Sequence, residues 1–139
     1  MKYIAIDFDG TCVTHRFPDI GESIGAERVL RKLIKKGHKL ILHTSRTDCD
    51  SGTVPGFPAL PPGKYLTAAV EWFNDRHIEL YGVQRHPGQD PRYHNKPFAD
   101  LILDDAALGC PLKSDKEISP RPFVDWEVVE MYLTGMKYL

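Results

Sequence analysis

The feature that most constrains the fold is a rhythm. Short apolar runs, each closing on a polar cluster, alternate with segments whose apolar residues recur at helical spacing. Tyr3-Ile4-Ala5-Ile6 runs into Asp7-Phe8-Asp9-Gly10-Thr11, Leu40-Ile41-Leu42 into His43-Thr44-Ser45-Arg46, and Leu101-Ile102-Leu103 into Asp104-Asp105. A brief apolar run without alternation reads as a buried strand, as parallel sheets use. Between the runs, residues 25–36 put Ala26, Val29, Leu30, Leu33 and Ile34 on one helical face, with Ser23 as the expected N-cap and Gly37 as the stop. Residues 65–77 repeat the pattern with Leu66, Ala69, Val70 and Phe73, and residues 125–133 do so with Trp126, Val129 and Leu133 behind an N-capping Asp125. A further strand is expected over 78–84. Strands alternating with helices imply βαβ units, a central, mainly parallel sheet and helices on both faces: an α/β, Rossmann-like three-layer sandwich.

A length of 139 residues suits one domain over 1–139, and 42% apolar residues supply a core. The net charge of −1 gives no basic footprint for nucleic acid. Three widely spaced cysteines, Cys12, Cys49 and Cys110, form neither a disulfide framework nor a zinc pattern. The N-terminal apolar stretch is broken by Asp7 and Asp9, too early for a signal peptide or a membrane span, so a cytoplasmic protein is expected. Residues 48–63 are rich in Pro and Gly and long for a connection in a compact domain, which makes them a candidate substrate-facing segment. Residues 85–97 form a second polar, Pro-broken loop.

In parallel sheets, ligands bind beyond the carboxyl ends of the strands. The clusters at Asp7–Thr11, Thr44–Arg46 and Asp104-Asp105 should therefore meet at one sheet edge. Four carboxylates brought together there repel one another and are costly to desolvate. A hard divalent cation relieves this, and Mg²⁺ takes one or two carboxylates, waters and a substrate phosphate. It would also let an anionic carboxylate approach a phosphoryl group. Thr11, Thr44 and Lys96 offer hydroxyls and a point charge suited to phosphate oxygens. His15, His43, His86 and His94 match no zinc spacing. His15-Arg16 reads as an exposed loop pair, and Trp72, Phe73 and Trp126 as core.

The ordered set Asp7-Phe8-Asp9-Gly10-Thr11, Leu40 to Thr44-Ser45-Arg46, Asn95-Lys96-Pro97 and Leu101 to Asp104-Asp105 resembles the four motifs of the haloacid dehalogenase superfamily. The resemblance implies a Mg²⁺-dependent phosphohydrolase in which Asp7 is the nucleophile and forms an aspartyl-phosphate. By the same resemblance, Asp9 protonates the leaving oxygen, then activates water, and lends its carbonyl to the metal. Thr44 holds the phosphate, and Lys96 offsets the charge of Asp7 and the phosphate. Gly10, Thr11, Ser45 and Arg46 line the substrate. Asp7, Asp9, Asp104 and Asp105 form the metal site, with Asp105 the preferred direct ligand. An acidic residue at Asp9 favours phosphoryl transfer over dehalogenation. Neither 11–23 nor 47–95 leaves room for a cap domain, so the resemblance is to a capless member, acting on a large phosphorylated substrate or beneath a partner subunit of a homo-oligomer. The 48–63 loop, with Arg46, Arg85 or His86, is then a candidate partial lid. A phosphotransferase on the same scaffold and a silent binding or regulatory module are the alternatives.

Overall fold

Ile4, Ala5 and Ile6 are fully buried because β1 (Tyr3–Ile6) lies inside a sheet and not at its rim. In the computed structural model, which describes residues 1–50, 60–92 and 95–139, the chain is mixed α/β around a four-stranded parallel sheet. β2 (Lys39–Leu42) pairs with one side of β1 and β6 (Leu101–Leu103) with the other, while β5 (Gly82–Val83) adds to β2. The registers align Ile6 with Leu42 and with Leu103, so the polar residues after each run emerge together at the carboxyl edge.

Strand alternation assigns Ile4, Ile6, Leu40, Leu42 and Leu103 to one face and Tyr3, Ala5, Ile41 and Ile102 to the other. The first face shares a core with buried residues of α1 (Ala26–Lys35), α2 (Tyr65–Asp75) and α3 (Trp126–Gly135). Among the described residues the helical face is thus single, and the expected third helical layer is not seen. Its absence follows from the path of the chain. The β1–α1–β2 and β2–α2–β5 crossovers step in the same direction across the sheet, and right-handed crossovers then place both helices on the same side. The return from β5 to β6 crosses the sheet without a helix among the described residues. It sets His86 4.3 Å and Phe98 6.1 Å, centroid to centroid, from the Tyr3 ring, and Ile102 stays 41% exposed.

Helix ends follow local chemistry with one exception. The Asp125 side chain accepts from the amides of Glu127 and Val128, as an N-cap should, and Gly37 takes φ +83° just beyond α1. Ser23 does not cap α1. It pairs with Val13 in an isolated bridge, and Gly25, at φ +94°, occupies the cap position without a side-chain bond. The expected 78–84 strand contracts to Gly82–Val83, though flanking amides of Tyr81 and Gln84 still bond to Leu40 and Leu42 carbonyls.

Two small hairpins complete the fold. β3 (Asp48–Cys49) pairs antiparallel with β4 (Gly63–Lys64), and β7 (Leu112–Lys113) with β8 (Phe123–Val124). Most of the candidate lid segment, 51–59, lies outside the described residues. No described helix is long and apolar enough to cross a membrane.

Candidate functional site

The edge where β1, β2 and β6 end forms an open cavity of about 480 Å³, within the range of small-molecule sites. Asp7, Asp9, Asp104 and Asp105 line it from β1 and β6, His43, Thr44 and Ser45 from β2, and Arg121 from the loop before β8.

Asp7 continues β1, its amide donating to the Leu103 carbonyl at 2.9 Å. One carboxylate oxygen each from Asp7, Asp104 and Asp105 lies within 4.8 Å of the others, and all three residues are half-buried. Burial pushes the Asp7 carboxyl up to about 7; a bond from the Phe8 amide opposes the shift, while Asp104, Asp105 and Asp9 add to it. No ion pair with a lysine or arginine relieves Asp7, Asp104 or Asp105 among the described residues, which is the situation a hard cation resolves. An all-oxygen, anionic donor set of this kind fits Mg²⁺, and both Asp104 and Asp105 reach into it.

Asp9 is treated differently. Arg46 grips it with two parallel bonds, Nε to Oδ2 and Nη2 to Oδ1, each 2.7 Å. The same guanidinium donates to the carbonyls of Pro18, Tyr65 and Asp19 and lies between the Phe8 and Phe17 rings, 5.1 and 5.0 Å from their centroids. The Arg46 side chain is 1% exposed. The expectation that Arg46 contacts substrate or forms part of a lid is therefore corrected: its donors are taken up inside the protein. The Asp9 carboxylate likewise stands outside the three-carboxylate group.

Thr11 and Gly10 are also framework. Thr11 is fully buried; its hydroxyl lies 3.3 Å from Asp7 Oδ2 and 3.4 Å from Asp105 Oδ1, and accepts from the Asp105 amide at 3.1 Å. It holds the two strand ends in relation to each other and does not face substrate. The Gly10 amide donates to the Val13 carbonyl, so it is not free for a phosphate, and the Gly10 carbonyl accepts from the Val124 amide. Gly10 sits at φ +81°, where a Cβ would come 2.1 Å from His15 Nε2 and 2.7 Å from Asp105 Oδ2. Glycine is required there by both backbone and space.

Thr44 and Ser45 remain at the cavity as expected. Gln84 brackets Thr44, accepting from its amide at 3.0 Å and donating to its carbonyl at 2.5 Å. Lys96 is a second correction. It is exposed, does not line the cavity and makes no ion pair with Asp7. His86 is buried against Tyr3 and Tyr81, which removes it from any lid.

Two further residues belong to the site: His15, whose reading as part of an exposed loop pair is corrected by a side chain 14% exposed, and Arg121, which the sequence did not single out. His15 contacts Asp105, Nε2 to Oδ2 at 2.9 Å, because 14–22 fold back through the Thr14 amide onto the Glu22 carbonyl. Arg121 reaches the cavity from a hairpin that carries no recognisable motif. The one local signal for His15 is its place four residues past Thr11; Arg121 has none.

No protein-family model and no curated protein matches the chain. Fold and site together define an α/β protein with a carboxylate-lined cavity at the carboxyl edge of a parallel sheet. A solved structure of a conserved protein coded by a Bacteroides thetaiotaomicron locus is similar to it throughout, with 30% identity and a TM-score of 0.71 over 97% of this chain and 91% of that one. The chain belongs to the same family as that protein.

Proposed function

We propose that the protein is a Mg²⁺-dependent phosphohydrolase of the haloacid dehalogenase type that cleaves a phosphate monoester through an aspartyl-phosphate on Asp7. The observation that carries this reading is the convergence of Asp7, Asp104 and Asp105 within 4.8 Å at the carboxyl edge of the sheet. Asp7, Asp104 and Asp105 would hold Mg²⁺, which when bound supplies charge neutralisation between the carboxylates and a phosphoryl group. A carboxylate oxygen of Asp7 attacks phosphorus as the bond from phosphorus to the leaving oxygen breaks, and Asp9 gives that oxygen its proton; Asp9 then takes a proton from the water that attacks phosphorus and releases phosphate from Asp7. Thr11 fixes the Asp7 carboxylate relative to Asp105. Thr44 and Ser45 supply hydroxyls at the cavity wall. Arg46 orients Asp9, the candidate acid–base group, at the same cavity.

The test is Asp7→Asn, assayed for Mg²⁺-dependent hydrolysis of an aryl phosphate with the fold checked by circular dichroism. Activity should vanish while the spectrum is kept; full residual activity sinks the assignment. Added alcohols or sugars that divert the phosphoryl group would identify a phosphotransferase instead.

A second reading is favoured by a specific observation. Asp9 is clamped and Lys96 does not line the cavity, so two of the groups expected to assist turnover are not poised for it. A binding module that keeps the Mg²⁺ site without chemistry would show Mg²⁺ binding by calorimetry and no turnover across a broad phosphate panel.

A further inference from the structure

The cavity holds four carboxylates, which repel an anionic substrate unless positive charge stands beside them, and a protein side chain can add to what a metal supplies. Arg46 lines no part of the cavity and has its donors occupied, and Lys96 lies outside it. Among the described lining residues, Arg121 is the one with a permanent positive charge. It is exposed and makes no ion pair among the described residues.

The position of Arg121 is built and not incidental. Ser119, 3% exposed, donates its hydroxyl to the Arg121 carbonyl at 2.9 Å and accepts from the Arg121 amide at 3.3 Å. Phe123 and Val124, which follow in β8, are buried. The Val124 amide bonds to the Gly10 carbonyl, and the Trp126 indole bonds to the Thr11 carbonyl at 2.7 Å. The segment that carries Arg121 is thus tied to the same loop that carries Asp7. A guanidinium held on such a base, with its own donors unpaired among the described residues, suits two oxygens of one phosphate.

We propose that Arg121 is the residue that binds the substrate's phosphate, taking the place that sequence resemblance gives to Lys96. This deepens the phosphohydrolase reading and rests on it for the identity of the anion as phosphate. The β7–β8 hairpin then supplies the phosphate contact of the cavity. Lysine at 121 keeps the charge but loses the fork, so it restores the contact only in part.

The test is calorimetric binding of inorganic phosphate to the full chain with Mg²⁺ present, run beside a turnover panel of aryl and alkyl phosphates. Arg121→Gln should weaken phosphate binding by about 10- to 100-fold, the loss of a charge-assisted bond. Arg121→Lys should fall between, and Lys116→Gln on the same loop should match wild type, with thermal melts unchanged in all three. Unaltered phosphate affinity in Arg121→Gln overturns the proposal, as does an equal loss in Lys116→Gln, which would make it a general effect of loop charge. A large loss in Lys96→Gln with none in Arg121→Gln overturns it in favour of Lys96. Turnover by wild type with phosphate affinity indifferent to Arg121 removes this inference and leaves the phosphohydrolase reading standing. Arg121-dependent phosphate binding without any turnover does the reverse, and no phosphate binding by wild type removes the inference outright.

Discussion

Two carboxylate environments lie side by side at the end of β1, and the protein handles their charge in opposite ways. Asp9 meets a buried guanidinium held by three backbone carbonyls and two aromatic rings. Asp7, two residues earlier, meets Asp104 and Asp105 and no ion-paired lysine or arginine among the described residues. Compensation inside the protein fixes a group's charge and orientation. Charge left uncompensated at an open cavity marks a place where something from outside completes the balance.

The largest effect should come from breaking the compensated side. Arg46→Met leaves the Asp9 carboxylate partly buried without its partner and strips the donors from the Pro18, Asp19 and Tyr65 carbonyls. Loss of one member of a buried pair costs about 3–5 kcal/mol. Urea unfolding should show that loss, and Asp9→Asn in the Arg46→Met background should recover part of it. If Arg46→Met unfolds at the wild-type midpoint, the clamp is not a structural element and the contrast with Asp7 fails.

The uncompensated side predicts a pH dependence of the opposite kind. The Asp7 carboxyl is raised from 3.8 to about 7 in the folded protein, chiefly by burial. Between those values the folded state holds a proton that the unfolded state has lost. Stability therefore falls as pH rises from near 4 to about 7, and the loss is complete above it. The shift corresponds to a few kcal/mol at most, on the order of 4 before solvent screening. In chelator, melting at pH 8 should lie below melting at pH 5, and Asp7→Asn should raise stability at pH 8 by about 1–3 kcal/mol while flattening the profile. Mg²⁺ should restore the wild type at pH 8 and leave Asp7→Asn little changed. Equal pH profiles for wild type and Asp7→Asn would mean that Asp7 carries no such strain.

The sequence was most informative where structure is local. The runs at Ile4–Ile6, Leu40–Leu42 and Leu101–Leu103 are strands because they are apolar, and the clusters after them converge because parallel strands share one carboxyl edge. Asp125 caps α3 through bonds that need only its nearest neighbours. The number of helical layers was not legible, since it depends on the direction in which crossovers step and not on residues within them. The role of Arg46 was hidden for a similar reason: its acceptors at Pro18, Asp19 and Tyr65 come from segments far from it in sequence. A lysine in Asn95-Lys96-Pro97 reads the same whether its loop turns toward the site or away, and here Lys96 does not reach it.

The smallest effect tests how tightly the two environments are joined. Gly10 follows Asp9 in the chain and lies against His15 and Asp105, and an alanine Cβ would come 2.1 Å from His15 Nε2. Gly10→Ala combines two costs. One is the left-handed backbone at φ +81°, about 1 kcal/mol for a residue other than glycine. The other is displacement of the His15 ring from Asp105, whose bond measures 2.9 Å. The two are separable in a double-mutant cycle with His15→Ala. If the steric part is real, the cycle should show coupling of about 0.5–1 kcal/mol or more, because removing the ring leaves only the backbone penalty. Mg²⁺ affinity should follow the same coupling, since His15 bears on the carboxylate that faces Asp7 and Asp104. Additive losses would place His15 away from Gly10 in solution, and Asp105 would then be positioned by Thr11 without help from the imidazole.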